Sequence, residues 1–376
     1  MLKVMTVVGT RPELIRLSRV IHRLDATVEH VLVHTGQNYD YTLNEVFFRD
    51  LGIREPDHML GVDTSTLGAV LGGTLIAVER VMLDEQPDAV LVLGDTNSTI
   101  AALMAKRLRI PVYHMEAGNR CFDLNVPEET NRKLVDHVAD FNLVYTEHAR
   151  RNLLAEGLHP RRILKTGSPM REVLDAYRDE ILASDVLNRL GLEEREYFLV
   201  SAHREENVDA PDRLRALLDC LVAVRAAHGL PVFVSTHPRT RKRLEALPEW
   251  EAPEGITFSD PLGFHDYNRL QLSAACCLSD SGTIAEESTL LGFPAVTLRD
   301  SIERPEALDT GGILMTGLHA EDVVAAVGVA MAAGHTRDGV SHLTPDDYLI
   351  DNASERAVNF ILSTAHRHHA WEGIRT

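Results

Sequence analysis

Short apolar runs recur along the chain without the polar alternation of a half-solvated sheet, and each is followed by a polar turn and a stretch of helical spacing. In the first half these runs are Leu2 to Val8, His30 to His34, Ala89 to Leu93, Pro111 to Met115, Leu143 to Tyr145 and Ile163 to Lys165. Strands that are apolar on both faces belong in a parallel sheet flanked by helices. Helical segments fit between them, among them Glu13 to Leu24, Thr66 to Glu85 and Ser98 to Arg107. Such alternation predicts right-handed crossovers and a doubly wound sheet. The same grammar restarts at Tyr197 to Ala202 and continues through Pro231 to Ser235, Ile256 to Ser259, Cys276 to Leu278, Ala295 to Leu298 and Gly312 to Thr316. The expectation is an α/β protein of two Rossmann-like domains, 1–180 and 181–353, facing a central cleft. They join across the helical stretch Arg171 to Leu192, and a C-terminal helix over about 354–363 could pack back on the first.

The length of 376 residues, at roughly 150 per domain, agrees with that count. With 38 basic against 56 acidic side chains the formal net charge is -18. That field repels polyanions, so nucleic acid is excluded as a partner and any anionic ligand needs a local cluster of positive groups. Cys121, Cys220, Cys276 and Cys277 show no CxxC spacing, which predicts reduced thiols. No apolar run approaches the roughly 18 residues that a membrane span requires, and no basic, apolar leader pattern follows Met1. A cytoplasmic enzyme is expected.

No GxGxxG follows a strand, and GxxxxGK[ST], HExxH and GxSxG are absent, so NAD, ATP and zinc-hydrolase chemistry lose support. No metal ligand set is assigned. The run His366-Arg367-His368-His369 is expected to be a solvated surface tail.

In open α/β sheets ligands sit beyond the carboxyl ends of the strands, and the remaining chemistry clusters there. After the first strand comes Gly9-Thr10-Arg11-Pro12-Glu13, either an anion site at a helix mouth clamped by Arg11 or a capped helix with a surface arginine. Gly94-Asp95-Thr96-Asn97-Ser98 offers Asp95 as a catalytic acid or as a helix cap. His114-Met115-Glu116-Ala117-Gly118 ends a further strand in a carboxylate, and Val126-Pro127-Glu128-Glu129 has the composition of a helix start. In the second half, Ser201-Ala202-His203-Arg204-Glu205-Glu206-Asn207 supplies a histidine and an arginine, and His237 follows the next strand. In Ser279-Asp280-Ser281-Gly282-Thr283-Ile284-Ala285-Glu286-Glu287, Thr283 and Glu286 have capping-box spacing. Ser281 and Gly282 would leave backbone N–H groups for a diphosphate, and Glu287 could accept from ribose hydroxyls.

Gly9-Thr10-Arg11-Pro12-Glu13, Gly94-Asp95-Thr96, Glu116-Ala117-Gly118, Pro127-Glu128-Glu129, His203-Arg204-Glu205, Asp280-Ser281-Gly282 and Glu303-Arg304-Pro305-Glu306 stand in the order and spacing of a known family. The chain resembles the non-hydrolysing UDP-N-acetylglucosamine 2-epimerases over about residues 3 to 310. The resemblance implies a GT-B architecture and a UDP-N-acetylamino sugar as substrate, with no cofactor and a homodimeric assembly. It further implies Asp95, Glu116 and Glu128 as acid/base carboxylates, assisted by His203. Arg11, Arg16, His203, His237, Ser281, Gly282 and Glu287 would bind substrate.

His34-Thr35-Gly36-Gln37-Asn38-Tyr39-Asp40-Tyr41, Asn119-Arg120-Cys121-Phe122-Asp123 and the stretch Ser201 to Val208 look more like the branch that forms UDP-N-acetyl-L-fucosamine from UDP-2-acetamido-2,6-dideoxy-L-talose. That places the product among capsule or O-antigen precursors. Interconversion of UDP-N-acetylglucosamine and UDP-N-acetylmannosamine is the alternative. A GT-B glycosyltransferase or a sugar-nucleotide-binding regulator would share the fold with different chemistry.

Overall fold

The computed structural model describes residues 1–36, 41–248, 251–336 and 339–374. The chain forms two compact units, one of Met1–Arg120, Pro127–Ala176 and Asp347–Thr376, the other of Cys121–Val126 and Tyr177–Asp346.

The first unit is built on seven strands, β1 (Lys3–Val8), β2 (Glu29–His34), β3 (His58–Met59), β4 (Ala89–Leu93), β5 (Val112–Met115), β6 (Phe141–Val144) and β7 (Ile163–Lys165). Their order is β3-β2-β1-β4-β5-β6-β7, with every neighbouring pair parallel. The two-residue β3 has no counterpart among the sequence-predicted strands, being too short to leave a periodic signal. Met5, Val7, Val31, Val33, Val90, Val92 and Val112 pack against Val78, Met82, Ala101 and Ala105 from the covering helices. Full burial of a Val or Met side chain contributes about 1.5–3 kcal/mol, so this core fixes the strand ends from which the loops project.

Helix Arg11–Thr27 begins at Thr10, whose backbone is extended, with Pro12 in the first turn where a missing N–H costs nothing. Helix Ala353–Thr364 belongs to the same unit. Its Phe360 meets Phe141 edge-on at 5.3 Å, and Tyr113, stacked on Phe141, shares a 2.6 Å hydroxyl hydrogen bond with Thr364. Within the expected solvated tail His366 and Arg367 are exposed, and the correction concerns His368. His368 is buried against the Phe141 ring, with Nε2 2.8 Å from Asp140 Oδ1. Burial opposes ionisation of Asp140, yet His368, Lys106 and the Val112 N–H together pull its pKa below the ordinary value.

The second unit holds β8 (Phe198–Ser201), β9 (Val232–Ser235), β10 (Ile256–Ser259), β11 (Cys276–Ser279), β12 (Ala295–Thr297) and β13 (Leu314–Met315), all parallel, in the order β10-β9-β8-β11-β12-β13. Phe198, Val200, Leu278 and Val296 pack on Leu217, Leu221, Val224, Val323 and Val327. The expected helical stretch Arg171 to Leu192 is three short helices, Met170–Ala176, Arg178–Ala183 and Val186–Leu190. All four cysteines are free and buried, and burial pushes the Cys220 thiol up to about 11 and that of Cys276 up to about 12.

Both sheets reverse their winding at one place, between β1 and β4 in the first unit and between β8 and β11 in the second. A crevice opens at the carboxyl ends of such strand pairs.

Candidate active site

In the first unit, Gly9-Thr10-Arg11 leaves β1 and Gly94-Asp95 leaves β4, so the two loops flank the winding reversal. Glu13 joins them. Its carboxyl accepts from Gly9 N at 3.0 Å and Thr10 Oγ1 at 2.7 Å on one side, and from Ser98 Oγ at 2.5 Å on the other. Full burial raises the Glu13 pKa from 4.5 to about 7 against the lowering effect of those donors. Arg11, half-buried at the first position of its helix, lies with its guanidinium 5.6 Å from the centre of the Phe47 ring.

One turn further along that helix, Arg16 forms an ion pair with Glu116. Glu116 is buried and sits just beyond β5 with φ +65°, a left-handed conformation that is strained for a side-chain-bearing residue and recurs at functional sites. Gly118, two residues on, is required: a Cβ there would stand 2.4 Å from Ala149 O.

Asp95 does not cap a helix, because the helical turn begins at Asn97 with Thr96 before it. Instead its Oδ2 accepts from Arg132 Nε at 2.8 Å and lies 2.6 Å from Arg132 Nη2. Arg132 is buried, and its Nη1 reaches Glu129 at 3.1 Å. Asn131 Nδ2 donates to the Asp95 carbonyl at 2.9 Å. Glu128 opens helix Glu128–Val138, half-buried, next to Glu129. The fold therefore draws the Asp95 loop and the Glu128-Glu129 helix start together through Arg132, a residue absent from the sequence-derived set. Its signal is helical spacing, since Arg132 stands one turn after Glu128 and Glu129.

In the second unit Asp280, fully buried after β11, organises the loop after β8. Its carboxylate accepts from His203 N and Arg204 N at 3.0 Å and from Asn207 Nδ2 at 3.1 Å. The His203 ring projects from that loop and lies 5.4 Å from the ring of His237, which precedes helix Pro238–Glu245. Arg204 Nη2 donates to Glu303 Oε1 at 3.0 Å. A Cβ on Gly282 would come within 2.6 Å of that same oxygen, so a larger residue there would push the Glu303 carboxylate out of its pair.

The capping box expected of Thr283 and Glu286 is not formed. Thr283 makes no cap hydrogen bond, its backbone being helical there, and its hydroxyl turns to Ser281 Oγ at 3.0 Å. Glu286 is buried on Arg304 instead. Ser281 N is engaged by Ser279 Oγ at 3.0 Å rather than left open. Glu287 is half-buried and accepts from Gln271 Nε2 at 2.6 Å. Gln37 to Asp40 of the first branch motif lie outside the described residues. Among the described residues no group of His, Cys, Asp and Glu could hold a metal ion, and no helix is long and apolar enough to cross a membrane.

Both units carry carboxylates steadied by arginines beyond the carboxyl ends of their strands, and the second adds two histidines and a glycine loop. Comparison with known proteins agrees. The sequence profile described as UDP-N-acetylglucosamine 2-epimerase matches residues 22–362. A solved structure described as UDP-N-acetylglucosamine 2-epimerase from Rickettsia bellii is 46% identical, covers 98% of each chain and superposes with a TM-score of 0.91. The Methanocaldococcus jannaschii UDP-GlcNAc 2-epimerase, solved in complex with UDP-GlcNAc and UDP, is 32% identical with a TM-score of 0.89, covering 96% of this chain and 100% of that one. A UDP-2,3-diacetamido-2,3-dideoxy-D-glucuronate 2-epimerase of Pseudomonas aeruginosa is 34% identical over 90% of this chain and 95% of its own.

Proposed function

The chain belongs to the UDP-N-acetylglucosamine 2-epimerase family, enzymes that are isomerases of GT-B type, and from that premise we propose that it converts UDP-2-acetamido-2,6-dideoxy-L-talose to UDP-N-acetyl-L-fucosamine. The observation that carries an acid/base reading is that the Asp95–Arg132–Glu129 cluster and the Arg16–Glu116 pair stand at the carboxyl ends of the neighbouring strands β4 and β5. The 6-deoxy branch rests on the Asn119 to Asp123 stretch, where Phe122 is 75% exposed and offers an apolar surface suited to a methyl group.

C2 of such a sugar bears no carbonyl, so its proton is not acidic in the ground state. As the C1–O bond breaks, its electron pair leaves with UDP and positive charge grows at C1. The C2–H electrons then move into a C1=C2 bond while the proton passes to a carboxylate, giving a 2-acetamidoglycal. Return of a proton to the opposite face and re-addition of the UDP oxygen at C1 complete the inversion, with no net redox change and no hydride cofactor. Asp95, Glu116 and Glu128 exchange these protons. Arg16 supplies positive charge on the substrate side of Glu116. Arg11, His203, His237, Ser281, Gly282 and Glu287 hold UDP, with His203 assisting departure of the diphosphate. A homodimer and a place in capsule or O-antigen precursor synthesis belong to the same proposal, as does a cytoplasmic location, which suits the four free, buried cysteines.

A second reading, interconversion of UDP-N-acetylglucosamine and UDP-N-acetylmannosamine, is favoured by the relatives' names. Incubation with each sugar nucleotide alone, followed by proton NMR of the C2 configuration, separates the readings. Epimer from the 6-deoxytalose substrate at a kcat/KM at least about tenfold above that for UDP-N-acetylglucosamine is expected; the reverse preference selects the second reading. Turnover only after an acceptor is added would indicate a glycosyltransferase.

A further inference from the structure

His114 lies inside β5, 1% exposed, two residues before Glu116. Its Nε2 is 2.7 Å from the carbonyl oxygen of Gly94, the residue preceding Asp95. A carbonyl oxygen only accepts, so Nε2 carries a proton. Its Nδ1 is 2.9 Å from Asp136 Oδ1 on helix Glu128–Val138. The Asp136 carboxylate also accepts from Arg120 Nη1 at 2.7 Å and from Gly118 N at 3.2 and 3.1 Å to its two oxygens. The Nδ1 contact is a close charge pairing without hydrogen-bond alignment, an arrangement that suits an imidazolium beside a carboxylate. Burial works against that charge, but Asp136, the Gly94 carbonyl and Glu116 outweigh it and raise the His114 pKa.

We propose that His114 is a positioning residue for the reaction, a buried imidazolium that clamps the Gly94-Asp95 loop to the Glu116 turn and sets how readily Glu116 takes a proton. This rests on the reading of Asp95 and Glu116 as acid/base groups. The charges around the ring are arranged for the purpose. Glu116 faces it from the turn just after β5 and is paired with Arg16. Asp136 faces it from the helix and is held in turn by Arg120, whose outer partner is Glu156, which also meets His137. One cation therefore stands between both proposed catalytic loops and a counter-charge anchored by Arg120 and the Gly118 amide. The sequence quotes His114 inside a motif but gives no reason to choose it over the structural histidines.

His114→Gln tests this, because an amide can still donate to the Gly94 carbonyl yet carries no charge. With the charge gone, the limb of the kcat–pH profile that belongs to Glu116, identified as the limb missing from the residual activity of Glu116→Gln, is expected to move up by about one pH unit. In the same variant kcat falls about 10- to 100-fold with KM within about threefold. An unmoved limb, or kcat and KM deteriorating together, would overturn the positioning role. Should the variant not fold, histidine-selective nitrogen-15 NMR of the unmodified protein decides: a His114 ring that stays doubly protonated to higher pH than the ordinary imidazole value of 6.5 is expected, and one that loses its second proton at or below that value overturns the proposal. Wild-type turnover in Glu116→Gln would instead bring down the acid/base reading on which the role depends, with the imidazolium signal still present.

Discussion

Asp95→Asn and Glu116→Gln are each expected to lower kcat about 100- to 10,000-fold while leaving the affinity for UDP within about threefold. Asparagine at position 95 keeps an oxygen for Arg132, which reaches Oδ2 through Nε at 2.8 Å. Glutamine at position 116 preserves the length and shape of a side chain that the Arg16 pair and the left-handed backbone hold in place. What each substitution removes is the ability to exchange a proton. The proposed UDP ligands His203, Ser281 and Glu287 lie in the other unit and are untouched. Steady-state kinetics on the sugar nucleotide and calorimetric titration with UDP measure the two effects separately. Equal loss of turnover and affinity would mean that these carboxylates organise the fold.

Asp280→Ala carries the larger structural penalty. The side chain is completely buried, and its removal strands the His203 and Arg204 amides and the Asn207 side chain without their acceptor. Each orphaned buried donor costs about 1–3 kcal/mol, so a combined loss of roughly 3–5 kcal/mol is expected, partly relieved by water entry. The loop bearing His203 would lose its register, and UDP affinity should fall more than about tenfold. Denaturant unfolding and UDP titration test both. An unchanged unfolding midpoint together with unchanged binding would show that the loop is shaped without Asp280.

The strands could be read from the sequence because both sheets are covered on both faces. Continuous apolar runs such as Ala89–Leu93 and Ile163–Lys165 coincide with the observed strands to the residue. β3 could not be read, since two residues carry no period, nor could the helix Tyr41–Asp50. The assignment of Cys121–Val126 to the second unit, in the midst of first-unit sequence, also has no local signal. Among the site residues, those beside a strand end were legible because topology places ligands there. Arg132, Glu13 and Asp280 were harder. Their importance lies in partners far along the chain, with Arg132 paired to a residue 37 positions away and Glu13 to one 85 away. His368 was misread because a histidine-rich terminus has the composition of a solvated tail, while burial is decided by the Phe141 and Asp140 surface that receives it.

Turnover in deuterium oxide goes to the heart of the proposed chemistry. If C2 is inverted through loss of its proton to a carboxylate, every molecule of newly formed epimer carries deuterium at C2, read as disappearance of the C2 proton signal. Epimer that keeps its original proton at C2 would contradict the account.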